Sequence, residues 1–162
     1  MKKAFVILAF VFCFLFFGCV STKSVEMQPF EEIVDVPGKM ADDLFVKSNS
    51  WMVDNFKNAN SVVQFSDKAA GVIKGKYIAP NIQDGMYLYD IQSTITIEVK
   101  DERYRISMAD PVVYYLGTTY APTAGNRQVY PLYDKLADKL KVEWSNLAQS
   151  LKNNLTSNSS NW

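Results

Sequence analysis

The sequence predicts an α+β fold, a two-layer sandwich in which an antiparallel sheet of about five strands is covered on one face by two helices. Three observations carry that expectation. Residues 87–100 alternate with period two: six of the seven odd positions (Tyr87, Tyr89, Ile91, Ile95, Ile97 and Val99, with Ser93 the exception) are large and apolar, and six of the seven even positions are polar. A strand of that kind has one buried and one wet face. After Asp101-Glu102 the chain returns with Tyr104, Ile106 and Met108 on one side and Arg103, Arg105 and Ser107 on the other. Two stretches elsewhere carry apolar residues at helical spacing, and two amphipathic helices suffice to cover one sheet face.

The element order reads β-α-β-β-β-β-α. Glu31–Val36 alternates weakly and ends at Pro37-Gly38, where proline cannot donate to a ladder. Residues 39–59 place Ala41, Phe45, Ser48, Met52, Phe56 and Ala59 on one stripe, with Leu44, Trp51 and Asn55 beside it, and put Asp42 and Asp43 in the first turn where the helix dipole favours them. Ser61–Ser66 and Val72–Ala79 flank Asp67-Lys68-Ala69-Ala70-Gly71, a hairpin by composition, and Gly75 inside a strand suggests a bulge or close helix packing. Tyr87–Lys100 and Arg103–Asp110 follow, and Pro111 interrupts before Val112-Val113-Tyr114-Tyr115. Gly117–Tyr130, rich in turn formers, reads as a loop. Pro131 suits a first helical position, and Leu132, Leu136, Leu140, Leu147 and Leu151 trace an apolar face with Trp144 near it. Opposite charges at Lys135–Asp138, Asp138–Lys141 and Lys139–Glu143 decorate its outer side. Residues 31–152 thus form a single domain, and 153–162 a polar, disordered tail.

Composition excludes several chemistries. The 162 residues include no histidine, which removes the usual neutral-pH base, the imidazole metal ligand and the Ser/His and Cys/His nucleophile pairs. Two cysteines, Cys13 and Cys19, cannot build a zinc or iron–sulfur centre. Bases and acids number 17 each, and without residues 1–18, which carry Lys2 and Lys3, acids exceed bases by two. A chain so balanced gives no electrostatic case for nucleic acid. No cofactor, metal or catalytic residue is expected.

The N-terminus points to export. Met1-Lys2-Lys3 precedes an unbroken apolar run from Ala4 to Phe17, then Gly18-Cys19-Val20-Ser21-Thr22. The small residue before a cysteine, followed at once by polar residues, resembles a bacterial lipoprotein box, with Phe16 standing where such boxes favour leucine. The resemblance implies that residues 1–18 are a lipoprotein signal peptide, that the Cys19 thiolate takes the diacylglyceryl group as a thioether, and that 19–30 is a tether. Two or three acyl chains anchor firmly, at about 0.8 kcal/mol per buried methylene. Such a protein sits in the cell envelope. Val20 in place of the aspartate that retains lipoproteins in the inner membrane of some bacteria favours the outer membrane. The mature chain then has no free thiol.

Within the domain, Val36-Pro37-Gly38 leading into a helix with Leu44-Phe45 and Trp51, Gly71-Val72-Ile73-Lys74-Gly75, and the long alternating hairpin ending Arg103-Tyr104-Arg105 resemble a bacterial envelope family of unknown function with a TBP-like fold. The resemblance covers roughly residues 31–115. It implies a fold and no reaction, because fold does not carry function.

The wet sheet face is the expected binding surface. Lys74, Lys76, Thr94, Thr96, Arg103 and Arg105 gather there if their strands are neighbours, offering four cations to a lipid headgroup, cell-wall polymer or acidic protein patch, with Glu98 and Asp90 on the same side. Tyr120, in the loop, is a second contact candidate, whereas most other tyrosines share the apolar parity of their strands and read as core. The function expected is a non-enzymatic envelope binding or assembly module for a protein or glycan. Its alternatives are a self-associating envelope protein and a hydrolase using carboxylates among Asp84, Asp90 and Glu98, which nothing in the spacing pairs.

Overall fold

The computed structural model describes residues 23–56, 63–122 and 127–157. Residues 1–22, with the expected leader and Cys19, lie outside the described residues. The elements are β1 (Phe30–Asp35), α1 (Ala41–Asn55), β2 (Val63–Asp67), β3 (Val72–Asp84), β4 (Tyr87–Lys100), β5 (Arg103–Thr118), β6 (Gln128–Tyr130) and α2 (Asp134–Thr156). The sheet is antiparallel throughout, in the order β1-β5-β4-β3-β2, and β6 pairs with the stretch of β5 that β1 leaves open. Both helices lie on the face carrying Ile73, Ile91, Ile95, Ile97, Tyr104, Ile106 and Met108, all of them buried.

The alternation in β4 becomes one packed and one open face as expected, and α1 buries Leu44, Phe45, Ser48, Trp51 and Met52. No side chain of its own caps α1. Instead the β4–β5 turn does so, Asp101 Oδ1 accepting the Ala41 N–H at 2.8 Å and Glu102 Oε1 the Gly38 N–H at 2.9 Å. The helices meet through Trp51, whose indole N–H donates to Ser150 Oγ at 3.0 Å.

Five expectations change. Pro111 does not interrupt β5: it sits beside Asp110 (φ 54°) in a bulge where Asp110 and Pro111 lie opposite Ser93 alone, one of the few places a strand accepts proline. The stretch read as the loop Gly117–Tyr130 contributes Gly117 and Thr118 to β5 and all of β6, which makes six strands. Helix α2 begins at Asp134, because Pro131–Tyr133 stays outside it, Tyr133 being extended, and the Leu132 carbonyl accepts the Val25 N–H at 2.8 Å. At its other end α2 runs to Thr156 rather than stopping before a polar tail at 153, since Leu155 is fully buried. The tether also shortens: Val25 is tied to Leu132, and Met27 and Phe30 pack against the core.

Among the described residues, two buried hydroxyls, those of Tyr104 and Ser48, lack a hydrogen-bond partner. A desolvated donor without a partner costs free energy, and removing it relieves that cost. Tyr104→Phe should therefore raise stability by about 1 kcal/mol, or about 3 °C in melting temperature, by calorimetry. A fall of that size would show that the hydroxyl is engaged.

Candidate functional site

The face opposite the helices is open. β-Register places Lys74 opposite Thr96 and Lys76 opposite Thr94, then Thr96 opposite Ser107, Glu98 opposite Arg105 and Lys100 opposite Arg103. All six residues expected on this face are brought together there. β1 extends it with Glu31, Ile33 and Asp35, which face Ser107, Arg105 and Arg103. At the far margin Phe65 of β2 lies opposite Lys74. Ile33 and Phe65 are exposed at the two margins of the face.

Its charge is not that of a basic patch. Arg105 is held by Glu98 and reaches Glu31 at 3.7 Å, and Arg103 Nε donates to Asp35 Oδ1 at 2.6 Å. The bonds to Glu98 and the attraction of its charge, reinforced by Glu31, push the Arg105 guanidinium above its ordinary value, so it stays charged throughout. Ion pairs this exposed add little stability and are weakened by salt. They do, however, occupy the arginines. Lys74, Lys76 and Lys100 are left as the cations of this face without an ion pair among the described residues, the first two flanked by Thr94 and Thr96. Between the two arginine pairs lies a depression of about 250 Å³ lined by Ile33, Glu98, Lys100, Arg103, Tyr104 and Arg105. Glu31 and Asp35 were not singled out in the sequence, yet the acid–apolar–acid alternation of Glu31, Ile33 and Asp35 mirrors Arg103 and Arg105.

The three carboxylates considered for hydrolysis are each engaged separately. Asp90 does not face solvent with its strand neighbours: it is 6% exposed, its Oδ2 accepts Arg127 Nη2 at 3.0 Å, and its Oδ1 accepts the Asn81 N–H at 3.0 Å. That second bond holds Asn81 at φ 54° in a bulge where Pro80 and Asn81 lie opposite Asp90. Glu98 is eight residues along the same strand, about 26 Å away, against about 5–9.5 Å for a hydrolytic pair. Asp84 Oδ2 accepts the Tyr133 hydroxyl at 2.8 Å. Among the described residues no cluster of three or more carboxylates or thiols could hold a metal ion.

Beyond the bulges the tyrosines congregate. Tyr89 contacts the rings of Tyr115, Tyr130 and Tyr133 at centroid distances of 5.6–6.2 Å, and Tyr115 also touches Tyr87 at 6.1 Å and Tyr130 at 6.1 Å. Tyr89 is core, as its parity implies, and Tyr133 is buried too, whereas Tyr87, on the same apolar parity as Tyr89, is exposed at the rim with Tyr130. Tyr120 is 91% exposed in the turn after β5. Burial, then hydrogen bonds to Tyr89 and Asp84, push the Tyr133 phenol well above its usual range. Burial and then Glu143 push Tyr77 up to about 12, and burial raises Tyr104. In an unfolded chain tyrosine ionises near pH ~10. The unfolded state therefore loses protons first, so stability is intact below pH ~10 and declines as pH rises toward 12. Melting temperature should fall across that window, with phenolate absorbance rising at the unfolding step. A flat melting temperature up to pH ~12 would contradict it.

A family model for a domain of unknown function with a TBP-like fold, DUF4468, matches residues 30–114, from β1 into β5. The chain belongs to the DUF4468 family. The open face just described lies within the matched DUF4468 span, while β6 and α2 follow it. A crystal structure of a DUF4468 family protein from Bacteroides ovatus superposes with a TM-score of 0.62 at 15% identity, covering 89% of this chain and 95% of that one. A TBP-like protein from Parabacteroides distasonis gives a TM-score of 0.58 at 15% identity, over 77% and 92%. At such identities the likeness is one of fold. No curated protein matches the chain.

Proposed function

We propose that this DUF4468 chain is a bacterial envelope lipoprotein, anchored through Cys19 and more at home in the outer than the inner membrane, whose domain is a non-enzymatic module that binds a partner protein on its open sheet face. The observation that carries the reading is the asymmetry of the sheet. Both helices cover one face, and the other, with Ile33 and Phe65 exposed at its margins and Lys74 and Lys76 between, has no layer over it among the described residues. Paired arginines beside free lysines make a surface of mixed charge, suited to a folded protein with acidic and apolar groups rather than to a uniform polyanion. The Gly18-Cys19 step after the apolar run supports the anchor. The separate engagement of Asp84, Asp90 and Glu98 supports a role without turnover.

The test is a photo-crosslinker at Thr96 in intact cells. A discrete adduct should form, and Lys74→Glu with Lys76→Glu should abolish it while leaving the melting temperature unchanged. An adduct indifferent to that reversal, or one made with a second copy of the chain, rejects the reading. Mass spectrometry of the native N-terminal peptide tests the anchor: Met1 retained, or a free thiol at position 19, removes it.

A further inference from the structure

The end of the domain nearest the tether carries a set of exposed apolar and aromatic side chains that its fold does not use. Tyr120 and Val129 are 91% and 71% exposed, and Met86, Tyr87 and Tyr130 join them. They come from three segments, the β3–β4 turn with the first residue of β4, the β5–β6 connection and β6. The first two are tied together by the Thr119 N–H donating to the Met86 carbonyl at 2.8 Å. Tyr87 and Tyr130 both rest against Tyr115, so their rings are held at the surface. Grouped exposure of this kind marks an interaction surface, and tyrosine, with an apolar ring and a polar tip, suits the boundary between acyl chains and water.

The path of the N-terminal segment selects the occupant. β1 is antiparallel to β5, with Phe30 opposite Met108, so the chain before Phe30 heads toward the C-terminal end of β5. Val25 is fixed to Leu132, two residues past Tyr130, which pairs with Val113. At about 3.3 Å per residue, Val113 is about 17 Å from the Thr118 end of β5 and about 33 Å from the Arg103 end. Val25 is six steps along the chain from Cys19, a reach of about 20 Å when fully extended. The Tyr120 end therefore lies nearer the root of the tether than the Asp101 and Ala70 turns at the opposite end.

We infer that the corner formed by Met86, Tyr87, Tyr120, Val129 and Tyr130 is a membrane-docking surface that lies in the lipid interface and sets the domain's orientation on it. The inference rests on the proposed anchor at Cys19. Docking this end leaves the open sheet face upright and free for a partner.

The test uses the full lipoprotein, purified from its bacterial membrane, in phosphatidylethanolamine–phosphatidylglycerol vesicles with bromine-substituted acyl chains. Three variants, Tyr120→Cys, Val129→Cys and Ala70→Cys, each receive one thiol-reactive fluorophore at an exposed position. Because a lipidated Cys19 does not react, the stoichiometry reports the anchor independently. Quenching by the brominated chains should be several-fold greater at positions 120 and 129 than at 70. Singly labelled protein with equal quenching at the three sites overturns the docking and leaves the anchor standing. Doubly labelled protein, with the second label on Cys19, overturns both.

Discussion

Trp144→Ala should cost about 4 kcal/mol in urea unfolding, within the ~3–5 kcal/mol seen for large aromatic truncations in cores. Trp144 is fully buried on α2 and is among the largest side chains the core encloses. Its indole N–H donates to Ser93 Oγ at 3.2 Å, and Ser93, itself 1% exposed, is the one polar residue on the packed side of β4. Truncation removes the ring contacts, opens a cavity and strands the serine hydroxyl. Ser93→Ala alone should cost about 1–2 kcal/mol, since it leaves a desolvated indole N–H without an acceptor. Combining Ser93→Ala with Trp144→Phe removes donor and acceptor together, so the double variant should be more stable than the sum of the two single losses predicts. A domain of this size has only about 5–15 kcal/mol in hand, so Trp144→Ala should leave it marginal at 37 °C. A loss under about 1 kcal/mol would mean that α2 does not pack on β4 through this residue.

That indole explains the one polar break on the packed side of β4, and it shows how the sequence was informative. Strand β4 was legible because twelve residues with a consistent parity outvote Ser93 and Leu88, and α2 because its leucines recur at helical spacing over more than four turns. Three residues cannot display a period. All three residues of β6 are exposed, and its strand state comes from outside it: β5 has 16 residues and β1 covers six of them, so a free edge remains for Gln128–Tyr130 to join. The open face was legible as a face, since the six expected residues do share it. Its charge was legible only in part, since Glu98 was placed beside the arginines, whereas Asp35 and Glu31 reach Arg103 and Arg105 across a strand pairing that spacing along the chain does not reveal. Asp90 was misplaced for a related reason. Strict parity puts it in solvent, but the bulge at Pro80-Asn81 and the arrival of Arg127 enclose it. Bulges and cross-strand partners are tertiary facts, and both affected this site.

Gly71→Ala should be nearly as damaging as the loss of Trp144, by a different route. Gly71 closes the β2–β3 turn at φ +66°, where an L side chain adds about 1–2 kcal/mol of strain. A Cβ there would also stand 2.6 Å from the Val99 carbonyl oxygen, closer than real contacts allow. That oxygen cannot swing aside, because the Val99 N–H donates to the Gly71 carbonyl at 2.8 Å and Val99 is paired in register with Tyr104 of β5. The turn must open or β4 must shift, and the Lys68–Asp42 ion pair that ties the turn to α1 would be disturbed with it. A loss of about 3 kcal/mol is expected, backbone strain and steric displacement together. Gly38 supplies the internal control. It has φ +76° but open space where its Cβ would stand, so Gly38→Ala should cost about 1–2 kcal/mol from strain alone. The difference between the two variants measures the close approach of the turn to β4. Equal losses would show that backbone conformation, and not the Val99 carbonyl, makes glycine necessary at position 71.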